Sequence, residues 1–373
     1  MRFLIVNTDY PEFLADLYSR NPGLAEASYA EQIQARYDSL FSVADFYSHN
    51  LRALGHEAWD LFANNEPLQR AWAREHGLSL RPSVRPQWRL RRGLVPWRFT
   101  VPDSSWYETV LKAQIEHYRP DVLINQNAFT IGDTIMHMAR PRVTLLMVQH
   151  AATVPPGDHD WSVYDLAISS FPPTLERFRE LGLRAEFHRL GFEPRVLRSI
   201  GERRRSIEVS FVGSFQGAHS SRAVWLRRVA ANAPVSIWTS MPEALAEDSH
   251  VRLSVKGPAW GRAMYEVLAS SKITLNHHGD VGPYANNLRL FEATGVGALL
   301  VTDWKPNLTD YFDVGKEVVA YRSEEECSEL VAYYLAHEDE RVTIAAAGQS
   351  RTLTEHNWRH RMRELVDIVA RYA

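Results

Sequence analysis

Short apolar runs alternate with amphipathic stretches along most of the chain, a pattern that predicts parallel strands joined by helices. The run FLIV within Arg2–Asn7 is apolar without interruption, as expected of a strand buried on both faces of a sheet. Further strands are predicted at 56–62, 120–125, 142–148, 165–169 and 186–190, and helices inside 28–54, at 104–117 and at about 130–139. This series predicts a first α/β domain at residues 1–192.

The alternation begins again after the segment 191–205, which contains the charged run GERRR and is interpreted as a domain junction. Strands are predicted at 209–215, 235–239, 251–255, 272–276, 298–302 and 317–321, and helices at 221–231, 260–269 and 324–336. A last helix is predicted at about 357–372. The fold class is therefore α/β, with two Rossmann-like domains at 1–192 and 193–353 and a C-terminal helix within 354–373.

Residues 68–100 interrupt this rhythm with an insertion rich in arginine and tryptophan. Its prolines exclude a single long helix, and long irregular segments within compact domains often have a function. Arginine and tryptophan together suit an anionic or sugar-bearing acceptor, or the surface of an acidic membrane. The alternative is a solvated insertion whose tryptophans pack on the first domain.

Composition narrows the classes of protein that remain. A formal net charge of −3 argues against a dedicated nucleic-acid binder. The single cysteine, Cys327, cannot form a disulfide within the chain and fits a reducing compartment. The first apolar run is too short for a signal peptide, and no run reaches the ~20 residues of a transmembrane helix. A cytoplasmic protein is therefore expected, and peripheral contact with the inner face of the membrane stays open.

Residues 272–303 read as strand, loop, helix and strand, with Asn286 or Asn287 expected to cap the helix. In a parallel sheet such a loop lies at the carboxyl ends of the strands, where open α/β folds bind ligands. The start of the helix offers free backbone N–H groups and a positive dipole end, which suit phosphate. The alternative is an ordinary crossover in which Arg289 and Glu292 form a solvated i,i+3 pair.

The pattern N-x-R-x-F-E-A at 287–293, followed by Gly297 and Thr302-Asp303, resembles the donor-site helix of GT-B glycosyltransferases. The likeness is nearest to the CgeB-like (spore-maturation type) group. It implies two domains facing across a cleft, a C-terminal helix that packs back on the first domain, and a glutamate, here Glu292, that holds the ribose of a nucleotide. Related retaining enzymes often carry a second glutamate where this chain has Tyr284. The resemblance extends from Val209 to about Arg361 and concerns the first domain only in its architecture.

A second ligand loop is predicted at 209–222, where a strand is followed by a glycine-containing loop and a helix. Gly213 and Gly217 would let the backbone approach a ligand beside Ser214, while Ser220 or Ser221 would cap the helix. The loop is similar to the one with which GT-B enzymes contact the donor diphosphate, and this places Arg222 facing a phosphate. The alternative is a tight strand-to-helix turn.

Four further side chains are candidates for roles around the sugar. Arg289 would stabilise the departing nucleotide diphosphate. His150 ends a buried strand and would reach the cleft, either touching the donor sugar, as in the retaining enzymes it resembles, or acting as a general base on the acceptor. One of His277 and His278, with His278 the chosen candidate, would touch the sugar or phosphate while the other packs, and Tyr284 would stack on the base or cover the start of the helix. No metal site is predicted, the nearest approach being Asp158-His159-Asp160.

The sequence thus predicts a metal-independent glycosyltransferase without a cofactor, whose donor is a nucleotide-diphosphate sugar, with retention of configuration preferred. The acceptor is a glycan, a lipid-linked saccharide, a protein or a small molecule. The alternatives are a sugar-nucleotide epimerase of the same fold and a catalytically silent nucleotide-sugar-binding protein. A dehydrogenase is disfavoured because neither first-strand loop contains G-x-G-x-x-G.

Overall fold

The computed structural model describes residues 1–82, 84–91, 95–102, 105–154, 157, 159–215, 221–245, 249–279 and 282–373. At 84–91, 95–102, 105 and 249–250 the description covers the backbone alone.

The strands follow one another from residue 2 to residue 321. They are β1 (Arg2–Asn7), β2 (Glu57–Phe62), β3 (Val84–Arg91), β4 (Val95–Pro102), β5 (Val122–Asn125), β6 (Leu145–Gln149), β7 (Leu166–Ser169), β8 (Arg184–Phe187), β9 (Ile207–Val212), β10 (Val235–Trp238), β11 (Ser271–Asn276), β12 (Leu299–Asp303) and β13 (Val319–Tyr321).

Helices separate most of these strands. They are α1 (Pro11–Arg20), α2 (Tyr29–Asp38), α3 (Phe46–Ala53), α4 (Glu66–Glu75), α5 (Ser105–Tyr118), α6 (Asp133–Ala139), α7 (Pro172–Glu180), α8 (Arg195–Ile200), α9 (Ser221–Ala230), α10 (Ser249–Leu253), α11 (Arg262–Ala269), α12 (Arg289–Gly295), α13 (Glu324–Ala336), α14 (Glu338–Glu355) and α15 (Trp358–Tyr372).

Two parallel sheets form the framework of the molecule. The first has the strand order β2-β1-β5-β6-β7-β8 and the second the order β10-β9-β11-β12-β13. Every pairing within them is parallel. Phe3, Leu4, Ile5 and Val6 in β1 are at most 2% exposed, as their continuous apolar run predicts. The predicted α/β fold with two Rossmann-like domains is confirmed, and the boundaries at 192 and 353 stay predictions.

The C-terminal helix α15 returns to the first domain, as expected. Its cap residue, Asn357, accepts a hydrogen bond from the backbone N–H of His360, which fixes the start of the helix. Trp358 then packs against Tyr47 of α3 with ring centroids 5.0 Å apart. At the far end, the hydroxyl of Tyr372 donates to Glu186 in β8 at 2.6 Å.

Two local predictions are wrong. Residues 251–255 were expected to form a strand, but α10 covers most of them and only Val255 makes a bridge, to Ile237. An alternation of five residues does not distinguish a strand from one helical turn. The insertion at 68–100 is also more regular than expected: α4 runs into it, capped by Asn65, and β3 and β4 form an antiparallel hairpin.

The hairpin tolerates its prolines because each of its strands has a free edge. Trp72 of α4 is buried, at 2% exposure, on the first domain. The side chains of Trp88 and Trp97 lie outside those described, so a ligand role for this insertion stays a prediction.

None of the helices in the described part of the chain is long and apolar enough to cross a membrane. Cys327 lies in α13 and is buried, and burial raises the pKa of its thiol to about 12. The interpretation of Cys327 as a structural residue agrees with this burial.

Candidate functional site

A cavity of about 340 Å³ lies between the two domains, at the carboxyl ends of strands from both sheets. Six of the predicted site residues line it: Gly213, Ser214, Arg222, Asn287, Arg289 and Glu292. The first domain contributes Tyr10, Phe41 and Ser42 to the lining. The second domain adds Trp238, Thr239, Ser240, Asn276 and the segment 258–261.

Arg289 and Glu292 lie on the first turn of α12 and form an ion pair, with 2.9 Å between Nη1 and Oε2. Their side chains are 14% and 7% exposed, so the pair is buried in the cavity wall and not solvated. Nη2 of Arg289 donates to the backbone oxygen of Val212, at the end of β9, at 3.2 Å. Nη1, the atom that pairs with Glu292, is itself buried and makes no hydrogen bond beyond this ion pair among the described residues. The guanidinium is thus held in the cavity wall from two sides, by Glu292 and by the end of β9.

Burial raises the pKa of the Glu292 carboxyl, while the Arg289 cation and a hydrogen bond with Tyr265 act in the opposite direction. Tyr265 itself is fully buried, at 2% exposure. The carboxyl group thus lies beside the Arg289 cation at the edge of the cavity, close to the buried phenol of Tyr265.

Asn287 turns its side chain into the second domain and does not cap α12. Its Nδ2 donates to Oδ1 of Asn276 at 2.8 Å, and Asn276 in turn donates to Thr302 at 2.9 Å. The cap position is taken by Leu288, without a side-chain hydrogen bond, so the predicted cap at Asn286 or Asn287 is wrong. Oδ1 of Asn287 is buried and has no partner in the described part of the chain, and it lies in a residue that lines the cavity.

Arg222 is held at the cavity by the loop after β11. Its Nε donates to the backbone oxygen of His277 at 2.7 Å, and the residue is 8% exposed. Gly213 passes close by: a methyl group there would lie 3.0 Å from the ring of Phe211 and 3.6 Å from Nη1 of Arg222. The absence of a side chain therefore avoids a tight contact with Phe211, whereas a methyl group would make only an ordinary contact with the guanidinium. Gly217 and Ser220 lie outside the described residues.

The opposite end of the cavity is aromatic, and sequence reasoning did not find it. Tyr10, Phe41 and Trp260 make edge-to-face contacts with centroids 5.5 to 6.4 Å apart. Tyr10 is nevertheless 62% exposed. An exposed ring in a cavity that also holds guanidinium groups suits a ligand with a planar aromatic part and an anionic part. The available signal was the position of Tyr10 after β1; nothing local links it to Trp260 in the other domain.

His150 directly follows β6 and lies outside the residues that line the cavity. Its Nε2 is 3.3 Å from the backbone oxygen of Thr153, and its ring packs edge-on to Phe129. Burial lowers the pKa of His150, which favours the neutral imidazole that a general base requires. Its predicted role stays a prediction.

His278 also lies outside the cavity lining, in a buried pair with Asp303. Its backbone N–H and its Nδ1 both face Oδ1 of Asp303, Nδ1 at 2.6 Å. Burial alone would raise the pKa of Asp303, but the hydrogen bonds and charge of His278 hold it well below its usual range. Tyr284 packs edge-on to Phe171 of the first domain, with centroids 6.0 Å apart. The roles predicted for His278 and Tyr284 therefore lack support from the geometry of the cavity.

The sequence Asp158-His159-Asp160 was the nearest approach to a metal site, and Asp158 lies outside the described residues. His159 and Asp160 face Asp133 and His137, at 3.8 Å for His159 with Asp133 and 2.8 Å for Asp160 with His137. Within the described ranges, no group of three or more histidine, cysteine or acidic side chains is placed to hold a metal ion.

The glycosyl transferase-like family model matches residues 221–367. No curated protein matches the chain. Among solved structures, the fold is similar to Anabaena HepE in complex with UDP and glucose, at TM-score 0.58 and 12% identity over 100% of both chains. It is also similar to a glycosyltransferase from Rickettsia africae, at TM-score 0.61 and 7% identity over 100% of this chain and 98% of that one. Sucrose-phosphate synthase from Thermosynechococcus elongatus gives TM-score 0.59 and 11% identity, with the same coverage. The stretch 221–367 is thus glycosyl transferase-like in sequence, and the whole chain has the GT-B fold.

Proposed function

We propose that this protein is a glycosyltransferase that moves a sugar from a nucleotide-diphosphate sugar to an acceptor hydroxyl. The observation that carries the proposal is the buried pair of Arg289 and Glu292, a fixed cation and a carboxylate side by side in the wall of the interdomain cavity. The glycosyl transferase-like match over this region and the GT-B fold of the whole chain support the same reading.

The diphosphate of the donor is proposed to bind Arg289, with Arg222 and the backbone near Gly213 beside it. Breaking the bond between sugar and phosphate leaves negative charge on the nucleotide, and a fixed guanidinium stabilises charge where it appears. Helix α12 has only seven residues, so we assign this role to the side chain more than to the dipole of the helix. These cations would serve in place of a divalent ion.

The nucleoside is proposed to occupy the remainder of the cavity. Glu292 has two carboxylate oxygens, which can accept hydrogen bonds from the two ribose hydroxyls. The rings of Tyr10, Phe41 and Trp260 would contact the base, because stacking on aromatic side chains suits any planar base. HepE is a structural neighbour described in complex with UDP, which makes uridine nucleotides the first donors to test.

The acceptor is proposed to bind the first domain, with His150 on that side of the cleft. If the reaction retains configuration, as we prefer, His150 contacts the sugar; if it inverts configuration, the neutral imidazole takes the proton of the acceptor hydroxyl. Membership of the CgeB-like group, a hexosyl donor and a cytoplasmic location also belong to this proposal. The buried free thiol of Cys327 agrees with a reducing compartment.

A thermal-shift screen tests the donor half of the proposal. The protein is heated with UDP, GDP, dTDP, CMP and ADP and with their sugar conjugates, since a ligand that binds the folded state raises the melting temperature. At a concentration one hundred times its Kd, a nucleotide adds about 2.7 kcal/mol to the free energy of unfolding. The proposal expects a shift with a nucleoside diphosphate and a smaller one in Arg289→Met. A panel in which no nucleotide moves the melting temperature would overturn it.

Transfer is then followed with the conjugate that binds. Release of nucleotide that depends on an added glycan acceptor supports a transferase, whereas an epimer formed without acceptor would overturn it in favour of an epimerase. Binding without turnover across the acceptor panel would point to a silent nucleotide-sugar-binding protein.

A further inference from the structure

The loop before α12 is joined to the first domain by the side chain of Asn286. Both atoms of the amide are used: Oδ1 accepts from the hydroxyl of Ser170 at 2.7 Å, and Nδ2 donates to the backbone oxygen of Ala151 at 2.6 Å. Ser170 follows β7 and Ala151 follows the end of β6, so one side chain of the second domain bridges two loops of the first.

Residues next to Asn286 also pack tightly against the first domain, at Phe171. Gly282 has φ +140°, and a methyl group built on it would lie 3.1 Å from the ring of Phe171. Tyr284 packs against the same ring. This explains why Tyr284 lies outside the lining of the cavity: its ring helps to dock the loop on the first domain.

The contact with Ala151 is directly next to His150. The carbonyl of Ala152 accepts from Thr174 at 2.5 Å, and that of Thr153 faces Nε2 of His150 at 3.3 Å. Two of these three successive carbonyls are thus held within the first domain, and the one beside His150 is held by the second.

The residues that follow Asn286 in the chain lead to the cavity. Asn287 is anchored to Asn276 of the second sheet, and Arg289 begins α12 two residues later. The two asparagines therefore point in opposite directions, one into each domain. The loop that holds His150 and the helix that holds Arg289 are connected through this pair.

We infer that Asn286 is a positioning residue, which sets the His150 loop of the first domain against the donor site of the second. The inference rests on the proposed function for its catalytic consequence. The hydrogen bonds of Asn286 form only when the two domains meet in this arrangement, so assembly of the site is tied to domain closure.

The first test is independent of any substrate. Hydrogen exchange is compared in wild type, Asn286→Ala and, as a matched control, Asn232→Ala, whose amide donates only within its own helical end. In Asn286→Ala, peptides covering 147–154 are expected to exchange at least fivefold faster than in wild type, while peptides covering 289–296 stay within twofold of wild type. In the control Asn232→Ala, the peptides of both regions should stay within twofold of wild type. Unchanged exchange at 147–154 would overturn the inference.

The second test is kinetic and uses UDP-glucose, with nucleotide release as the readout. Asn286→Ala is expected to lower kcat at least tenfold while KM for UDP-glucose stays within about threefold, because no residue lining the cavity is removed. Asn286→Asp keeps the acceptor for Ser170 but loses the donor to Ala151. It should match Asn286→Ala if the bond beside His150 matters, and wild type if the loop only needs to be packed.

The outcomes separate the two claims. A kcat that is unchanged in Asn286→Ala, or an equal loss in kcat and donor affinity, overturns the positioning role. A wild-type protein that neither binds UDP nor turns over UDP-glucose counts against the proposed function in its uridine form, while the exchange measurement still decides whether Asn286 fixes the loop. Melting temperatures of the variants verify that each is folded.

Discussion

Replacement of Arg289 by methionine should weaken the binding of a nucleoside diphosphate but not of the nucleoside. The variant keeps most of the aliphatic stem and removes a guanidinium that is only 14% exposed, so solvent screening of its charge is slight. Hydrogen bonds to charged groups contribute about 1.5 to 3 kcal/mol, which corresponds to a loss of affinity of roughly 10- to 150-fold. The lost affinity should come from the contacts with the phosphates, because the ribose is assigned to Glu292.

The assay is titration calorimetry at neutral pH with UDP and with uridine. UDP is expected to lose affinity by the factor above, and uridine by less than threefold. Arg228→Met is the control, since Arg228 lies on α9 of the same domain and pairs with Glu324 at the surface. Equal weakening of UDP and uridine in Arg289→Met, or no weakening of UDP, would refute the placement of the diphosphate.

The same substitution leaves the Glu292 carboxyl buried without its cation, and this has a cost in stability. Breaking a buried ion pair typically costs about 3 to 5 kcal/mol, and protonation of the remaining acid relieves part of it. Because burial already raises the pKa of Glu292, we expect the free energy of unfolding to fall by roughly 2 kcal/mol. Urea unfolding measures this loss and shows that the variant remains folded in the calorimeter.

Three more substitutions test other parts of the structure. Tyr10→Ala should weaken UDP about fivefold or more and leave pyrophosphate unchanged by calorimetry, since stacking on a base contributes about 1 to 3 kcal/mol; equal effects on both ligands would exclude contact with the base. Gly261→Ala should lower the free energy of unfolding by roughly 2 to 4 kcal/mol in urea, because Gly261 has φ +49° and a methyl group would clash with the carbonyl of Ser39. Burial lowers the pKa of His356 to about 4, so the folded state holds this ring neutral while the unfolded chain binds a proton below about 6.5. The free energy of unfolding should therefore rise by up to about 3 kcal/mol between pH 4 and 6.5, and His356→Gln should flatten this slope.

The sequence was most informative where one local pattern had a single structural solution. The strand β1 followed from its apolar run, and α13 begins and ends at the predicted residues, 324 and 336, with Ser323 accepting a hydrogen bond from the N–H of Glu326 as its cap. The i,i+3 spacing of Arg289 and Glu292 led the alternative interpretation to expect a solvated pair; the two residues do pair, because residues three apart share one face of a helix, but the pair is buried.

The misses have two physical origins. At 251–255 and in the insertion, short segments were compatible with more than one secondary structure, and their sequence pattern alone did not decide between them. At the site, the missing information concerned contacts between the domains. Tyr10 and Trp260 are distant in sequence and meet only where the two folded domains face each other, and Asn286, expected as a cap, donates instead to a carbonyl of the first domain.

The pairing of Arg289 with Glu292 also bears on selectivity among anions. A guanidinium alone in a cavity would attract any phosphate, but the carboxylate 2.9 Å away repels one that brings no hydroxyl groups. A nucleoside diphosphate satisfies both partners, because its phosphates meet the cation while its ribose hydroxyls donate to the acid. Glu292→Gln should accordingly bind pyrophosphate more tightly than wild type and UDP less tightly, a crossing of affinities that calorimetry measures directly. If both affinities fell together, the carboxylate would be acting only as a support for Arg289, and discrimination between nucleotides and free phosphate would have to arise at the aromatic end of the cavity.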